Sequence, residues 1–193
     1  MPQAYLLTWT TYGSWLPGDA RGSVTSVRDK SGPRKRHNEF GTPYDPAMPG
    51  LQRAAEAALR GPAISLDSDQ ARCLLGQFQQ TASVRGWRLQ AVAIMRTHVH
   101  LVVNAGETDP EILLRDFKSY GSQSLNLKWR KPESGTWWTE SGSRRRLRDE
   151  HAVRAAVRYV ERQKLPLVIL GCLRRAASGG LCPPLDFWCS HGS

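Results

Sequence analysis

The sequence predicts an α+β domain: an antiparallel, ferredoxin-like sheet with helices packed on it. Three observations carry that expectation. Segments rich in β-branched and aromatic residues alternate with segments of helical apolar spacing, in the order strand–helix–strand–strand–helix–strand–helix. The two central strands are joined by only a few residues near Arg96-Thr97. That makes them a hairpin and the sheet antiparallel rather than doubly wound. The chain has 193 residues, 40% of them hydrophobic, enough for one real core. A single domain over 1–193 is therefore expected, with a surface excursion at about 20–62 and an unassigned tail at about 165–193.

The elements follow in order. Ala4 to Tyr12 reads as the first strand, ended by Gly13 and a Leu16-Pro17-Gly18-Asp19 turn. From Ala20 to Gly50 the chain is rich in Gly, Pro, Ser and charge, with the basic cluster Arg34-Lys35-Arg36. A short helix is expected over Leu51 to Leu59, before Gly61-Pro62. Asp67 and Gln70 form a capping-box pattern for a helix carrying Leu74, Leu75, Phe78 and Ala82 and stopping at Gly86. Trp87 to Ile94 is the next strand. Asp109-Pro110-Glu111 combines a cap, a first-turn proline and an early acid, and starts a helix to about Lys128. Gly135 to Thr139 suits a short strand or loop, and Arg144-Arg145-Arg146-Leu147 an edge strand. Asp149 caps a last helix, His151 to about Lys164, with Val153, Val157 and Val160 on its buried face.

Composition narrows the partners. The net charge is +10 and the isoelectric point about 10.0, which favours a polyanion, most often nucleic acid. A membrane surface is the weaker alternative, since no strongly basic amphipathic helix accompanies the charge. No apolar run is long enough to span a bilayer, and the first residues lack the pattern of a signal peptide. The four cysteines, Cys73, Cys172, Cys182 and Cys189, form no Cys-x-x-Cys pair. Free thiols in a reducing cytoplasm are expected. The spacing of Cys182, Cys189 and His191 matches no standard zinc finger.

The run Thr97-His98-Val99-His100-Leu101-Val102-Val103 is the centre of interest. Side chains alternate along a strand, so His98 and His100 share one face while Val99, Leu101 and Val103 share the other. Two imidazoles side by side on an exposed strand face are a natural pair of metal ligands, though also compatible with a half-solvated sheet. On the last helix, Tyr159 and Gln163 are four residues apart and lie on one face. A phenol becomes a useful nucleophile when something offsets its pKa of about 10, and a neighbouring divalent cation can polarise a phosphate for attack.

Together these residues resemble the histidine–hydrophobic–histidine (HUH) single-tyrosine transposases, with the REP-associated tyrosine transposases and their insertion-sequence relatives as the best match. Leu7 to Asp19 is similar to the opening of such proteins, and Asp116-Phe117-Lys118-Ser119-Tyr120 to the lysine-serine-tyrosine stretch after the histidine strand. The resemblance spans roughly Tyr5 to Lys164. It implies the HUH nuclease fold and a metal-dependent transposase that cleaves and transfers single-stranded DNA carrying hairpin or palindromic repeats. His98, His100 and Gln163 would hold Mg²⁺ or Mn²⁺, and Tyr159 would become a 5′-phosphotyrosine. Tyr120 is the competing nucleophile. Lys118, Arg144, Arg145 and Arg146 are candidate phosphate contacts, and Tyr12 and Trp15 candidate stacking platforms; Trp9 reads as core. The arginine run equally suits a guarded edge strand. A nucleoid-associated monomer or homodimer is expected. A non-catalytic or domesticated nucleic-acid-binding module of the same fold, or a metal-dependent hydrolase using the histidine pair, are the alternatives.

Overall fold

A computed structural model describes residues 3–21 and 47–171. Most of the excursion, with Arg34-Lys35-Arg36, lies outside the described residues. So do Cys172, Cys182, Cys189 and His191. The elements are β1 (Ala4–Thr10), α1 (Pro49–Ala57), α2 (Ser68–Arg85), β2 (Arg88–Ile94), β3 (His98–Asn104), α3 (Pro110–Lys128), β4 (Ser143–Leu147), α4 (Glu150–Glu161) and β5 (Val168–Gly171). The five strands form one sheet in the order β4-β1-β3-β2-β5, every neighbouring pair antiparallel. This is the ferredoxin-like α+β arrangement with one strand added beyond β2.

Local signals set the helix starts. The Asp67 carboxylate accepts from the amides of Asp69 and Gln70 while Gln70 Oε1 accepts from the Asp67 amide, a complete capping box. Asp109 caps α3 through the Glu111 amide at 2.8 Å, and Asp149 caps α4 through the Ala152 amide at 2.7 Å. Gly86 ends α2 at φ 69°, a left-handed conformation that glycine takes without a Cβ penalty.

One face of the sheet holds the larger core. Leu7 and Trp9 of β1, Val92 and Ile94 of β2, and Val99, Leu101 and Val103 of β3 pack against α2 and α3 through Leu74, Phe78, Leu113, Phe117 and Leu125. Phe78 sits edge-on to Trp9 at 5.7 Å and to Phe117 at 5.6 Å. In β2, Leu89 lies an odd step from Val92, yet all three of Leu89, Val92 and Ile94 join this core. A register shift between Leu89 and Ala91 explains it: the extra residue, Gln90, returns the strand to the same face.

Helix α4 covers part of the other face. Ala156, Val157 and Val160 pack on Ala4, Ala91, Ala93, Met95, Val102 and Leu147. Two expectations are corrected here. The last helix ends at Glu161 rather than near Lys164. Leu165 then takes φ 55° ahead of Pro166, which cannot continue a helix. Part of the unassigned tail is a strand, because Val168–Gly171 pairs with the otherwise open edge of β2. The short helix expected inside the excursion is present as α1, and none of its residues is buried. Among the described residues, no helix is long and apolar enough to cross a membrane.

Candidate active site

The histidine face is defined by register. Thr8 pairs with His100 and Thr10 with His98 across β1–β3; Ala93 pairs with His100 across β2–β3; Ser143 pairs with Thr8 and Arg145 with Leu6 across β1–β4. Directly opposed residues share a face. Ser143, Leu6, Thr8, Thr10 and Arg145 therefore stand on the same side as the two imidazoles, and none of these strand residues is acidic.

The His98 and His100 ring centroids are 4.9 Å apart with the planes at 78°. The expected exposed strand face is not what the structure shows: His100 is only 6% exposed and His98 is half-buried, because α4 closes over the sheet. Tyr159 leans from α4 over His100, its ring 5.3 Å from that imidazole at 76°, and is itself half exposed. A phenol and two imidazoles from elements about 60 residues apart in sequence thus meet at one half-open spot.

Each imidazole is oriented by a threonine. Thr8 Oγ1 lies 2.8 Å from His100 Nδ1, and Thr97 Oγ1 lies 3.2 Å from His98 Nδ1. With the Nδ1 proton given to the hydroxyl, each Nε2 keeps its lone pair for a metal, the usual way an outer partner fixes a histidine ligand. Burial and the nearby Arg21 charge hold His98 below its ordinary pKa. Burial, then the neighbouring His98, pulls His100 down to about 4. Both rings are neutral at pH 7, as metal ligation requires.

Gln163 is placed differently from expectation. It lies beyond the helix end, and its Nε2 donates to the Tyr159 carbonyl oxygen at 3.1 Å. The last carbonyls of a helix lack intrahelical partners, and this side chain satisfies one of them. Among the described residues, no group of three or more His, Cys, Asp and Glu side chains is gathered as for a metal. What this spot offers a cation is the pair of imidazoles alone, without a third such side chain among the described residues.

The other predicted residues are distributed around the sheet. Tyr120 rides on α3, which packs on the opposite face, so the competing nucleophile is not brought to the histidines. Lys118 is turned inward: its ammonium donates to the carbonyls of Thr139, Glu140 and Ser141 at 2.5, 2.9 and 3.2 Å, and burial draws its pKa down to about 8. It holds the loop before β4 against α3. The arginine run is split by strand alternation. Arg145 shares the histidine face, whereas Arg144 and Arg146 oppose Leu7 and Tyr5 and stand on the other. Arg144 pairs with Glu111 at 3.0 Å. The Tyr12 hydroxyl accepts from the Arg60 amide at 2.8 Å. Trp15 is 36% exposed beneath the Arg21 guanidinium, whose central carbon is 4.9 Å from the indole ring centre. Trp9 is core, as expected.

Sequence reasoning missed Thr8, Thr97 and Arg21. Thr8 was legible as a polar residue alternating with Leu7 and Trp9, but its partner depends on register. Arg21 carried no motif signal of its own.

No protein-family profile and no curated protein matches this chain. Among solved structures, it is similar to a REP-associated tyrosine transposase bound to a REP hairpin, at 13% identity and a TM-score of 0.44, over 82% of this chain and 64% of the other. A chain described as a candidate transposase from Deinococcus radiodurans R1 is similar at 16% identity and a TM-score of 0.39, over 86% of this chain and 93% of the other. The chain thus spans under two thirds of the first of these proteins.

Proposed function

We propose that this protein is a single-stranded DNA endonuclease and strand transferase of the transposase kind, working through a phosphotyrosine at Tyr159. The observation that carries the reading is the convergence of the Tyr159 phenol on the His98–His100 pair, with ring centres 5.3 and 4.9 Å apart. A nucleophile beside two neutral imidazoles, on a face whose strand residues lack carboxylates, suits an anionic phosphodiester.

His98 and His100 would hold Mg²⁺ or Mn²⁺, with Gln163 Oε1 as a third donor once its amide turns from the helix end; the ion would polarise the phosphate and stabilise developing charge. The Tyr159 oxygen attacks phosphorus. The bond from phosphorus to the 3′ oxygen breaks, and that oxygen takes up the proton the phenol gives up to solvent. The products are a 5′-phosphotyrosine and a free 3′-hydroxyl. A second 3′-hydroxyl attacking the same phosphorus reverses the step and joins strands, so no nucleotide cofactor is needed. Thr8 and Thr97 keep the imidazoles aimed. The half-exposure of Tyr159 leaves room for a strand to approach.

The experiment is incubation with hairpin-bearing single-stranded DNA and Mg²⁺ or Mn²⁺, followed by a denaturing gel. A protein–DNA adduct that is lost in Tyr159→Phe supports the reading. Cleavage without an adduct assigns a hydrolase, and binding without cleavage a non-catalytic module; either overturns it.

A further inference from the structure

Arg21 is a cation fixed beside a pair of residues that would themselves hold a cation. Its Nε donates to Asp19 Oδ1 at 2.8 Å, and its Nη2 to Asp19 Oδ2 at 2.6 Å and to the Ser14 carbonyl at 2.9 Å. The guanidinium lies over the Trp15 ring. Nη1 takes no part in these bonds. The loop that carries it is tied to the histidine strand: Ser14 Oγ and Thr11 Oγ1 donate to the Thr97 carbonyl at 3.1 and 3.2 Å, and the Thr97 hydroxyl meets His98 Nδ1. A chain of direct bonds thus runs from Arg21 through Ser14 and Thr97 to His98.

A positive charge held there opposes the entry of a bare divalent cation. It favours an anion lying between the two, to which Nη1, outside the bonds to Asp19 and Ser14, can donate. Asp19 offsets part of that charge, but its two oxygens also fix the orientation of the fork, and Trp15 supports its plane. The guanidinium is therefore already ordered before the substrate arrives.

We infer that Arg21 binds the phosphodiester at the His98–His100–Tyr159 site, stabilising the charge that develops on phosphorus as Tyr159 attacks. This rests on the phosphotyrosine reading above and adds a substrate-contacting residue to it. Arg21 supplies the anion side of the site, and a divalent cation binds most tightly when the phosphate is already present.

The test compares the full chain with Arg21→Gln and Arg21→Lys, using three measurements. These are Mn²⁺ affinity without DNA, by the paramagnetic signal of free Mn²⁺; affinity for a fluorescent single-stranded oligonucleotide without metal; and the rate of adduct formation at saturating DNA and Mn²⁺. The expected result is that Arg21→Gln binds Mn²⁺ as tightly as the parent or a few-fold more tightly, binds the oligonucleotide more weakly, and forms adduct about 100-fold more slowly. Arg21→Lys, keeping the charge but not the planar group that Asp19 and Trp15 hold in place, recovers part of that rate. An unchanged adduct rate in Arg21→Gln overturns the inference. So does a fall in Mn²⁺ affinity parallel to the rate, which would mean that Arg21 only props up the loop. If the parent forms no adduct at all, the phosphotyrosine reading fails, and the oligonucleotide affinity of Arg21→Gln still decides whether Arg21 binds phosphate.

Discussion

Stability should fall steeply as the pH drops from about 6.5 to about 4, and His100 is the reason. In the unfolded chain this imidazole titrates near 6.5; in the folded protein its burial, at 6% exposure, and the adjacent His98 lower that to about 4. Between those values the unfolded chain carries the proton and the folded chain does not. Protonation therefore favours unfolding, and stability is lost as pH falls. The gap of about 2.5 units, at about 1.4 kcal/mol per unit, gives about 3 kcal/mol. His98 is shifted in the same direction and adds to the effect. The assay is urea unfolding followed by tryptophan fluorescence at pH 7.5, 6.5, 5.5 and 4.5, with chelator present throughout, for the parent and for His100→Asn. Carboxylates titrate alike in both proteins and cancel in the difference. Relative to the parent, the variant should gain about 2.5 kcal/mol between pH 7.5 and 4.5, the remainder lying below the folded pKa. A difference that stays flat, or one that moves against the variant, would refute the buried, neutral imidazole.

Four further outcomes follow from the geometry. Thr8→Val removes the hydroxyl at His100 Nδ1 while keeping the shape; it should weaken Mn²⁺ binding about 10–100-fold and cost about 1–3 kcal/mol in stability, read by metal titration and urea unfolding. Arg145→Gln should lower the salt dependence of single-stranded DNA binding by about 0.7 in log–log slope, while Arg146→Gln, on the other face, should leave it unchanged in the same fluorescence titration. Phe78→Ala should destabilise by about 3–5 kcal/mol, because it opens a cavity where two edge-on ring contacts meet, and calorimetry should show a correspondingly lower Tm. Asp67→Ala should cost about 1 kcal/mol through the lost cap of α2, measured by the same urea curves, with no effect on DNA affinity.

The parts of this protein legible in the sequence are those written in short-range spacing. The capping box at Asp67, the Asp109-Pro110 start and the Asp149 cap each act within one helical turn, so residue type and offset suffice to place α2, α3 and α4. Strand alternation put His98 and His100 on one face and Val99, Leu101 and Val103 on the other before any partner was known. What the spacing could not supply was everything set by pairing between distant segments. The register of β1 against β3 and β4 gives Thr8 to His100 and gives Arg145, rather than its neighbours, to the histidine face. Helix α4 buries His100 because Ala156, Val157 and Val160 pack on that same face, which turns an expected exposed pair into a half-closed site. The end of α4 at Glu161 and the use of Gln163 as its terminal hydrogen-bond donor depend on Pro166 and on β5 joining the edge of β2. Arg21 is drawn toward the histidine strand because its loop is bonded to the Thr97 carbonyl. A side chain's face follows from its own strand, whereas its neighbours follow from which backbones hydrogen-bond to one another, and that was decided by the packed sheet.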